Sequence, residues 1–447
     1  MLRFFYTIAI YLATPVIVLR LIARGLHYRG YFARWRERFG HFPDPHFSDS
    51  IWVHAVSVGE VNAALPLIRA LRKRYPQLPM VVTTVTPTGS ERVRAQLGDE
   101  VFHVYLPYDL PHAVRRFLER VRPSLGVIME TEIWPNLFHA CGRRDIPLVI
   151  ANARLSERSL RAYAPIHRLV AQALSNVGYI AAQSHADARR YRTLGAAPSR
   201  VSIAGNLKFD MPIPQGVRER GEALRRAWGE ARPVWFAAST HEGEELAVLQ
   251  AHLDVLHRLP DALLLIAPRH PERFRAVEQS ARNLGFSTCT HNGPERPDAN
   301  CQCFVVDVMG AMMRHYAASD LAFVAGSLVP IGGHNVLEPA SLARPVLVGP
   351  YTFNFEEITR SLIESGGARR VEAPDALGPA VLELLRDAPL RHRIGANARM
   401  VFARERGAVR RTMILIERIY ARQRSRESRI EKRESENGSG ESGTGDR

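Results

Sequence analysis

Short apolar runs rich in β-branched residues alternate with amphipathic stretches along most of the chain. The runs have the length of buried strands, and the stretches between them carry apolar residues at helical spacing. In the first half we predict strands at residues 51–56, 80–85, 124–129, 146–151 and 177–182. In the second half we predict strands at residues 233–239, 262–268, 303–308, 321–327 and 345–350. This alternation is typical of parallel sheets covered by helices on both faces, so the predicted fold class is α/β.

The length of 447 residues exceeds one ordinary hydrophobic core and predicts two domains. The stretch "MPIPQG" at 211–216 carries two prolines and a glycine and reads as a linker. We therefore predict Rossmann-like domains at 26–210 and 217–421. Two such domains joined by a short linker leave a cleft at the carboxyl ends of their strands, where ligands bind. The charged, Gly/Ser-rich residues 422–447 are predicted to be disordered.

The N-terminus has the composition of a membrane anchor, predicted at residues 1–25. Residues 4–19 carry no charge, and the apolar character continues past Arg20 to residue 23, so a helix here spans about 30 Å, the thickness of a bilayer core. Arginines are frequent just after the segment and scarce before it, which places the following domains in the cytoplasm. Pro15 leaves a kinked or interfacial helix open as well as a spanning one. A buried core helix is the alternative.

The net charge of +15 indicates anionic partners, such as nucleic acid, anionic lipid or a phosphorylated substrate. The sequence contains no basic-aromatic nucleic-acid module, so we expect no nucleic-acid partner. It also lacks D-x-D, a GxxxxGK[ST] loop and cysteines at zinc-ligand spacing. We therefore expect neither a metal nor a cofactor, and a disulfide framework is not predicted.

Carboxylates follow two of the predicted strands. Glu60 comes after the first strand, where a helix begins, and Glu130 and Glu132 come after strand 124–129. Each position fits a glutamate that caps a helix, and it fits equally a base that faces a ligand cleft. Because the carboxyl ends of parallel strands meet at one edge, the three are expected to cluster, which raises carboxyl pKa values.

The second half offers groups suited to an anion. Arg269 follows strand 262–268, and Gly332-Gly333 is predicted to open a helix with Glu338 one turn in. Backbone N–H groups at such a helix start bind phosphate, and the glutamate can accept ribose hydroxyls. Lys208 lies just before the linker, at the mouth of the predicted cleft. Taken singly, each basic residue is also compatible with an ordinary surface charge.

Nine motifs occur in order between the N-terminal segment and about residue 415: "HAVSVGE", "TVTPTGSERV", "YLPYDLP", "METEIWPN", "VIANARLS", "GNLKFD", "STHEGEE", "PRHPERF" and "GGHNVLEP". Together they resemble the bacterial transferases of 3-deoxy-D-manno-octulosonic acid (Kdo). The resemblance implies the GT-B architecture of two Rossmann-like domains facing a cleft. It also implies CMP-Kdo as donor, lipid IVA (the lipid A precursor) as acceptor, and inversion without a cofactor, as a step of lipopolysaccharide biosynthesis.

The resemblance implies roles for single residues. Glu60 matches the general base, and Glu130 and Lys208 match residues that support the transition state. Ala311 stands where the family usually has an acidic residue, which questions a side-chain role at that position. The family's CMP-Kdo site corresponds to Pro268, Arg269, Met309, Gly310, Ala311, Asn335, Val336, Leu337 and Glu338.

The resemblance also fits the expected location, an inner-membrane enzyme with its catalytic domains on the cytoplasmic side and an anionic membrane surface as partner. Two alternatives stay open from the residues alone. One is another GT-B enzyme, with a different acceptor or as a nucleotide-sugar epimerase, which should lack the anchor or "METEIWPN". The other is a non-catalytic membrane-surface scaffold, which does not explain three carboxylates at strand ends.

Overall fold

In a computed structural model, which describes residues 1–292, 297–298 and 300–438, the chain forms two compact units. The first unit contains Met1–Met211 together with the chain from Arg406 onward, and the second contains Pro212–Glu405. Each unit is built on its own parallel sheet. The predicted pair of Rossmann-like domains is therefore confirmed.

The sheet of the first unit has the strand order β3-β2-β1-β4-β5-β6-β7, and every pairing is parallel. The chain starts in its middle, moves to one edge and then crosses to the other, as in doubly wound folds. Its strands are β1 Ser50–His54, β2 Met80–Thr84, β3 Phe102–Tyr105, β4 Pro123–Met129, β5 Leu148–Ala153, β6 Val177–Ala182 and β7 Val201–Ile203.

Helices precede, connect and cover these strands. Three of them, α3, α4 and α5 in the list below, start with a proline in the first turn, where the missing N–H costs no hydrogen bond. The helices of this part are α1 Leu2–His27, α2 Val58–Arg74, α3 Pro87–Leu97, α4 Pro111–Val121, α5 Pro135–Arg143, α6 Glu157–Tyr163, α7 His167–Leu174 and α8 His185–Thr193.

The second unit repeats this plan with the order β10-β11-β9-β8-β12-β13-β14, again all parallel. Its strands are β8 Val234–Thr240, β9 Leu263–Pro268, β10 Thr288–Thr290, β11 Cys303–Val305, β12 Leu321–Val324, β13 Val346–Val348 and β14 Ala368–Arg370. Its helices are α9 Val217–Trp228, α10 Glu245–Leu256, α11 Phe274–Asn283, α12 Met312–Ala318, α13 Leu337–Ser341, α14 Glu356–Glu364, α15 Leu377–Arg386 and α16 Ala388–Glu405.

The core of each unit lies on both faces of its sheet, because helices cover both. In β1, Trp52 packs into the cluster on one face, while Ile51 and Val53 pack into the cluster on the other. All three are fully buried, so no polar side alternates with the apolar one. This is why the strands read as continuous apolar runs in the sequence.

The last helix, α17 (Ala408–Gly438), returns to the first unit, where Ile416 and Tyr420 join its core. The carboxylate of Asp210 fixes the entry of this helix, accepting from the N–H groups of Gly407 at 2.6 Å and Val409 at 2.5 Å. The sequence division at 421 is therefore wrong, since residues 408–421 pack with the first unit. The helix also continues through 422–438, in the range predicted to be disordered; residues 439–447 lie outside the described residues.

Helix α1 is long and apolar enough to cross a membrane by length and composition, and it continues without a break past Pro15. Only Leu21 and Gly25 of its residues are buried, so the alternative of a core helix is wrong. One face contacts the first unit, where Tyr6 Oη donates to Asp109 Oδ2 at 3.0 Å. The opposite face exposes large apolar side chains, among them Phe4, Phe5, Ile8, Leu12, Val16 and Leu19.

Candidate active site

Glu60 lies in the first turn of α2, directly after the carboxyl end of β1. Its side chain turns back toward the strand: the Val56 N–H donates to Oε2 at 2.8 Å, and Ser57 Oγ lies 3.5 Å from Oε1. Ser57 itself makes no side-chain cap. Glu60 therefore accepts a hydrogen bond from the backbone just before the helix start, as the capping interpretation of the sequence expects.

Capping does not determine the proton affinity of Glu60. Burial raises the pKa of this carboxyl to about 8, although the hydrogen bond from Val56 favours the charged form. The negative charges of Glu130 and Glu132 raise the Glu60 pKa further. The expected cluster of three carboxylates is thus present at the carboxyl ends of the inner strands β1 and β4. Glu60 has the proton affinity of a base that works near neutral pH.

Glu130 occupies a strained position at the end of β4. Its backbone has φ of +57°, a left-handed conformation that costs free energy for a residue with a side chain. The surroundings hold it there: its N–H donates to Ala151 O at 2.9 Å, and Tyr191 Oη donates to its carbonyl at 2.8 Å. Burial raises the pKa of its carboxyl, and the cations Lys208 and Arg154 oppose that rise.

Asn152 links Glu130 to the segment that carries Lys208. Its Nδ2 donates to Glu130 Oε1 at 3.4 Å, and its Oδ1 accepts from the Leu207 N–H at 3.0 Å. It is fully buried and has φ of +53°. No role was predicted for Asn152 from the sequence, although an amide at the end of the apolar strand "LVIANA" indicates a special position, because buried amides need hydrogen-bond partners.

Glu132 lies two residues after Glu130, just before α5, and burial raises its carboxyl pKa too, while the neighbouring Trp134 side chain lowers it. The first turn of α5 is held by Asp109, a buried residue of the "YLPYDLP" motif. Its carboxylate accepts from the N–H groups of Asn136 at 2.9 Å and Leu137 at 2.8 Å. These bonds satisfy N–H groups that a helix start leaves without partners.

In the second unit, Pro268 ends β9 and is buried, whereas Arg269 is exposed, with its N–H donating to Thr240 O at 2.9 Å. Met309, Gly310 and Ala311 come just before α12, and Gly310 has φ of +80°. These three line a cavity of about 260 Å³, together with Pro214, Val217, Arg220, Met313 and Arg314. Two arginines thus give this cavity a positive lining.

The loop from Gly332 to Glu338 differs from its prediction. Gly332 and Gly333 have positive φ, but α13 begins only at Leu337 and has five residues, so the glycine turn does not open a helix directly. Asn335 organises the segment instead: its Oδ1 accepts from the Leu337 N–H at 3.1 Å, and its Nδ2 donates to Glu338 Oε1 at 3.2 Å. Burial raises the pKa of the Glu338 carboxyl, and the bond from Asn335 opposes this.

The predicted donor residues thus form three groups within the second unit. Pro268 and Arg269 lie at the end of β9, Met309 to Ala311 line the cavity, and Asn335 to Glu338 form one hydrogen-bonded segment. The positive charge of Arg269 contributes to lowering the pKa of His334, the residue before Asn335, so the first group lies near the third. The sequence analysis assigned no role to His334. Ala311 is buried, and an alanine offers no polar side-chain group to a ligand.

Within residues 1–292, 297–298 and 300–438, no three His, Cys, Asp or Glu side chains are grouped so that they could hold a metal ion. Cys141, Cys289, Cys301 and Cys303 are buried, and none of them forms a disulfide.

Comparison with known proteins gives consistent matches. The family model "3-Deoxy-D-manno-octulosonic-acid transferase (kdotransferase)" matches residues 33–211. The 3-deoxy-D-manno-octulosonic acid transferase of Haemophilus influenzae is 43% identical over 93% of this chain and 98% of its own length. The enzyme of the same name from Bordetella pertussis is 36% identical over 92% of this chain and 98% of its own length.

Among solved structures, the UDP-GlcNAc 2-epimerase from Neisseria meningitidis matches with a TM-score of 0.54. It is 14% identical and covers 83% of this chain and 98% of that chain, which is a likeness of fold alone. Together with the two parallel sheets, this likeness confirms the GT-B fold predicted from the sequence.

Proposed function

The chain belongs to the 3-deoxy-D-manno-octulosonic acid (Kdo) transferases, and we propose that it transfers Kdo from CMP-Kdo to lipid IVA. Family membership decides against the epimerase and the non-catalytic scaffold. It leaves the acceptor, the stereochemistry and the base to be argued from the residues. We assign an inverting single displacement with Glu60 as the general base.

The observation that carries this proposal is the environment of Glu60. A half-buried carboxyl with a pKa of about 8 binds a proton far more strongly than an ordinary glutamate. The base removes the proton from the acceptor hydroxyl while the hydroxyl oxygen attacks the anomeric carbon of Kdo. The bond from that carbon to the CMP phosphate breaks in the same step. One displacement inverts the anomeric centre and needs no covalent intermediate.

Glu130 and Lys208 are proposed to stabilise the charges that develop in this step. Two observations support this pairing. The charge of Lys208 lowers the pKa of Glu130 against the effect of burial, and Asn152 is hydrogen-bonded both to Glu130 and to Leu207, the residue before Lys208. The strained backbone of Glu130 is consistent with a functional position, because such strain persists only where the surroundings impose it.

For the donor we propose the second unit, with Pro268, Arg269, the three residues Met309 to Ala311, and the four residues Asn335 to Glu338. The support is chemical. Arg220 and Arg314 line the cavity beside Met309 to Ala311, and Arg269 is exposed beside His334. CMP-Kdo carries a phosphodiester and a carboxylate, which such cations bind. At position 311 we propose a backbone contact.

For the membrane we propose that α1 lies along the bilayer surface and does not cross it. One face of the helix is attached to the first unit through the Tyr6–Asp109 bond, and Tyr11 Oη lies 2.6 Å from His112 Nδ1. A spanning helix would carry these polar partners into the hydrocarbon region, which is costly. The exposed apolar face, followed by the exposed Tyr28, Phe32 and Trp35, fits an interfacial helix of the inner membrane on its cytoplasmic side.

The test is incubation of the full chain in detergent with CMP-Kdo and lipid IVA, followed by mass spectrometry and NMR of the product. We expect lipid IVA carrying Kdo, with inversion at the Kdo anomeric carbon. Retention would overturn the single displacement. Hydrolysis of CMP-Kdo without transfer to lipid IVA, under conditions in which another lipid acceptor is modified, would overturn the choice of acceptor.

A further inference from the structure

His241 and His334 form a histidine pair in the second unit. Their Nε2 atoms lie 2.8 Å apart, the two rings differ in plane by only 2°, and the ring centroids are 5.1 Å apart. Coplanar rings whose nearest atoms are these two nitrogens have the geometry of a straight N–H···N hydrogen bond. One nitrogen must therefore carry hydrogen, and the other must accept it.

A proton fits this gap and a metal ion does not. Zinc holds imidazole nitrogens at about 2.0–2.1 Å, which in a tetrahedral site puts two of them roughly 3.4 Å apart. At 2.8 Å the nitrogens are too close for a shared zinc ion. The distance between the two nitrogens therefore fits a shared proton.

The side chains around the pair include the cation Arg269 and a third histidine, His270. His270 packs edge-on against His241 with centroids 5.3 Å apart, and Arg269 and His270 lower the pKa of both members. Burial is the larger cause, and the pKa of His334 falls to about 4. Without a ligand the pair is therefore neutral near pH 7.

Three carboxylates lie near the pair, and each has other partners or is in contact with solvent. Glu272 Oε1 lies 3.9 Å from His270 Nδ1 and is exposed, so solvent screens its charge. Glu244 is buried, and its oxygens accept from the N–H groups of His241 at 3.0 Å, Gly326 at 2.5 Å and Leu328 at 3.2 Å. Glu242 is exposed and pairs with Arg273 at 3.3 Å. The backbone of residues 351–352 packs against Gly333, the residue before His334. An anion placed beside Arg269 would supply the negative charge that this surrounding lacks.

We propose that His241 and His334 share one proton between their Nε2 atoms and take up one more from solvent when the anionic donor nucleotide binds beside Arg269. The inference rests on the proposed donor site. The neutral pair carries two hydrogens, one between the rings and one on an outer Nδ1. After uptake it carries three, so that both outer Nδ1 atoms can donate to an anion. Both histidines are positioning residues for the donor.

The test is calorimetry of the full chain with CMP and with the methyl ester of CMP, a phosphodiester that keeps one charge between pH 6 and 8. Titrations in buffers of different ionisation enthalpy count the protons that bind with the ligand. We expect uptake of between about half a proton and one proton near pH 6.5, and tighter binding as pH falls, by up to about tenfold per pH unit. His241→Gln and His334→Gln should each abolish the uptake, and His392→Gln, at an exposed residue of α16, should keep it.

Two results would overturn the inference. If the wild-type protein binds the ester without proton uptake, the donor site stands and the proton-sharing pair is wrong. If the folded protein binds neither ligand at millimolar concentration, the proposed donor site is wrong, and the pair's role falls with it. Circular dichroism melting of each variant verifies folding, and His334→Asn replaces His334→Gln if the latter is unfolded.

Discussion

Glu60→Gln should make the protein more stable at alkaline pH while it removes catalysis. A glutamate whose pKa is raised in the folded state keeps a proton that the unfolded chain releases. The wild-type protein therefore loses stability as pH rises from about 4.5, the ordinary value, to about 8, the value of Glu60. At about 1.4 kcal/mol per pKa unit, the full loss is at most about 5 kcal/mol.

Glutamine avoids this loss because it has no proton to release. Its amide oxygen can still accept from the Val56 N–H, so the hydrogen bond at the start of α2 survives. We expect equal stability of the two proteins near pH 5 and an advantage of about 2–5 kcal/mol for Glu60→Gln at pH 8 and above. Turnover should fall by about 10²-fold or more, since the proton acceptor is gone. Wild-type kcat/KM should rise with pH up to about 8 for the same reason.

Urea unfolding followed by tryptophan fluorescence between pH 5 and 9, in one detergent, measures the stability difference. Glu119→Gln on α4 is the control, because Glu119 is exposed and its loss should not change the pH dependence. Superimposable curves for wild type and Glu60→Gln would refute the reasoning from burial. Turnover within about threefold of wild type in the folded variant would refute the role of base.

Two further outcomes follow from the assignment of the units. Arg269→Ala and Glu338→Ala should each weaken CMP binding roughly 10- to 150-fold by calorimetry, whereas Glu60→Ala should leave it unchanged; the opposite pattern would mean that donor and acceptor sides are exchanged. Leu12→Ser with Leu19→Ser, both on the exposed face of α1, should release the protein from anionic vesicles in flotation assays and keep turnover of detergent-dispersed acceptor. Unchanged flotation would contradict the interfacial helix.

The sequence predicted all the inner strands of both sheets and missed four edge strands, β3, β7, β10 and β14. Inner strands are buried on both faces, so they appear as apolar runs that a pattern can detect. The missed strands have three or four residues and are partly exposed, as at Ile203 and Arg370. An edge strand pairs on one side only, so few of its residues need to be apolar.

The candidate site was likewise predictable from the sequence only in part. The positions of Glu60, Glu130 and Glu132 follow from where strands end, which the sequence shows. The partners that give them their properties, such as Asn152 and Tyr191, come from other strands and helices, and their approach depends on tertiary packing. The return of α17 to the first unit was unpredictable for a similar reason. Asp210 and Gly407 are joined by a hydrogen bond but are separated in the sequence by the whole second unit.

Asp109 connects helix α1 to the carboxylate side of the site. Its carboxylate accepts hydrogen bonds from Tyr6 Oη of α1 and from the N–H groups of Asn136 and Leu137 in the first turn of α5. Helix α5 begins three residues after Glu132. Asp109 is 1% exposed, and burial raises the pKa of its carboxyl to about 6. Each hydrogen-bond donor therefore stabilises the charged form against the cost of burial.

Tyr6→Phe removes one of these donors and changes little else. We expect the free energy of unfolding of the first unit to fall by about 1.5–3 kcal/mol at pH 8, where Asp109 is charged. The loss should shrink below about pH 6, because a protonated Asp109 needs this donor less. Tyr11→Phe is the matched control, since Tyr11 is an exposed residue of the same helix α1 and its hydroxyl contacts His112 of α4, not a buried carboxylate. An equal effect of the two substitutions at every pH would show that α1 is attached by its apolar contacts alone, and that the carboxylate cluster is independent of α1.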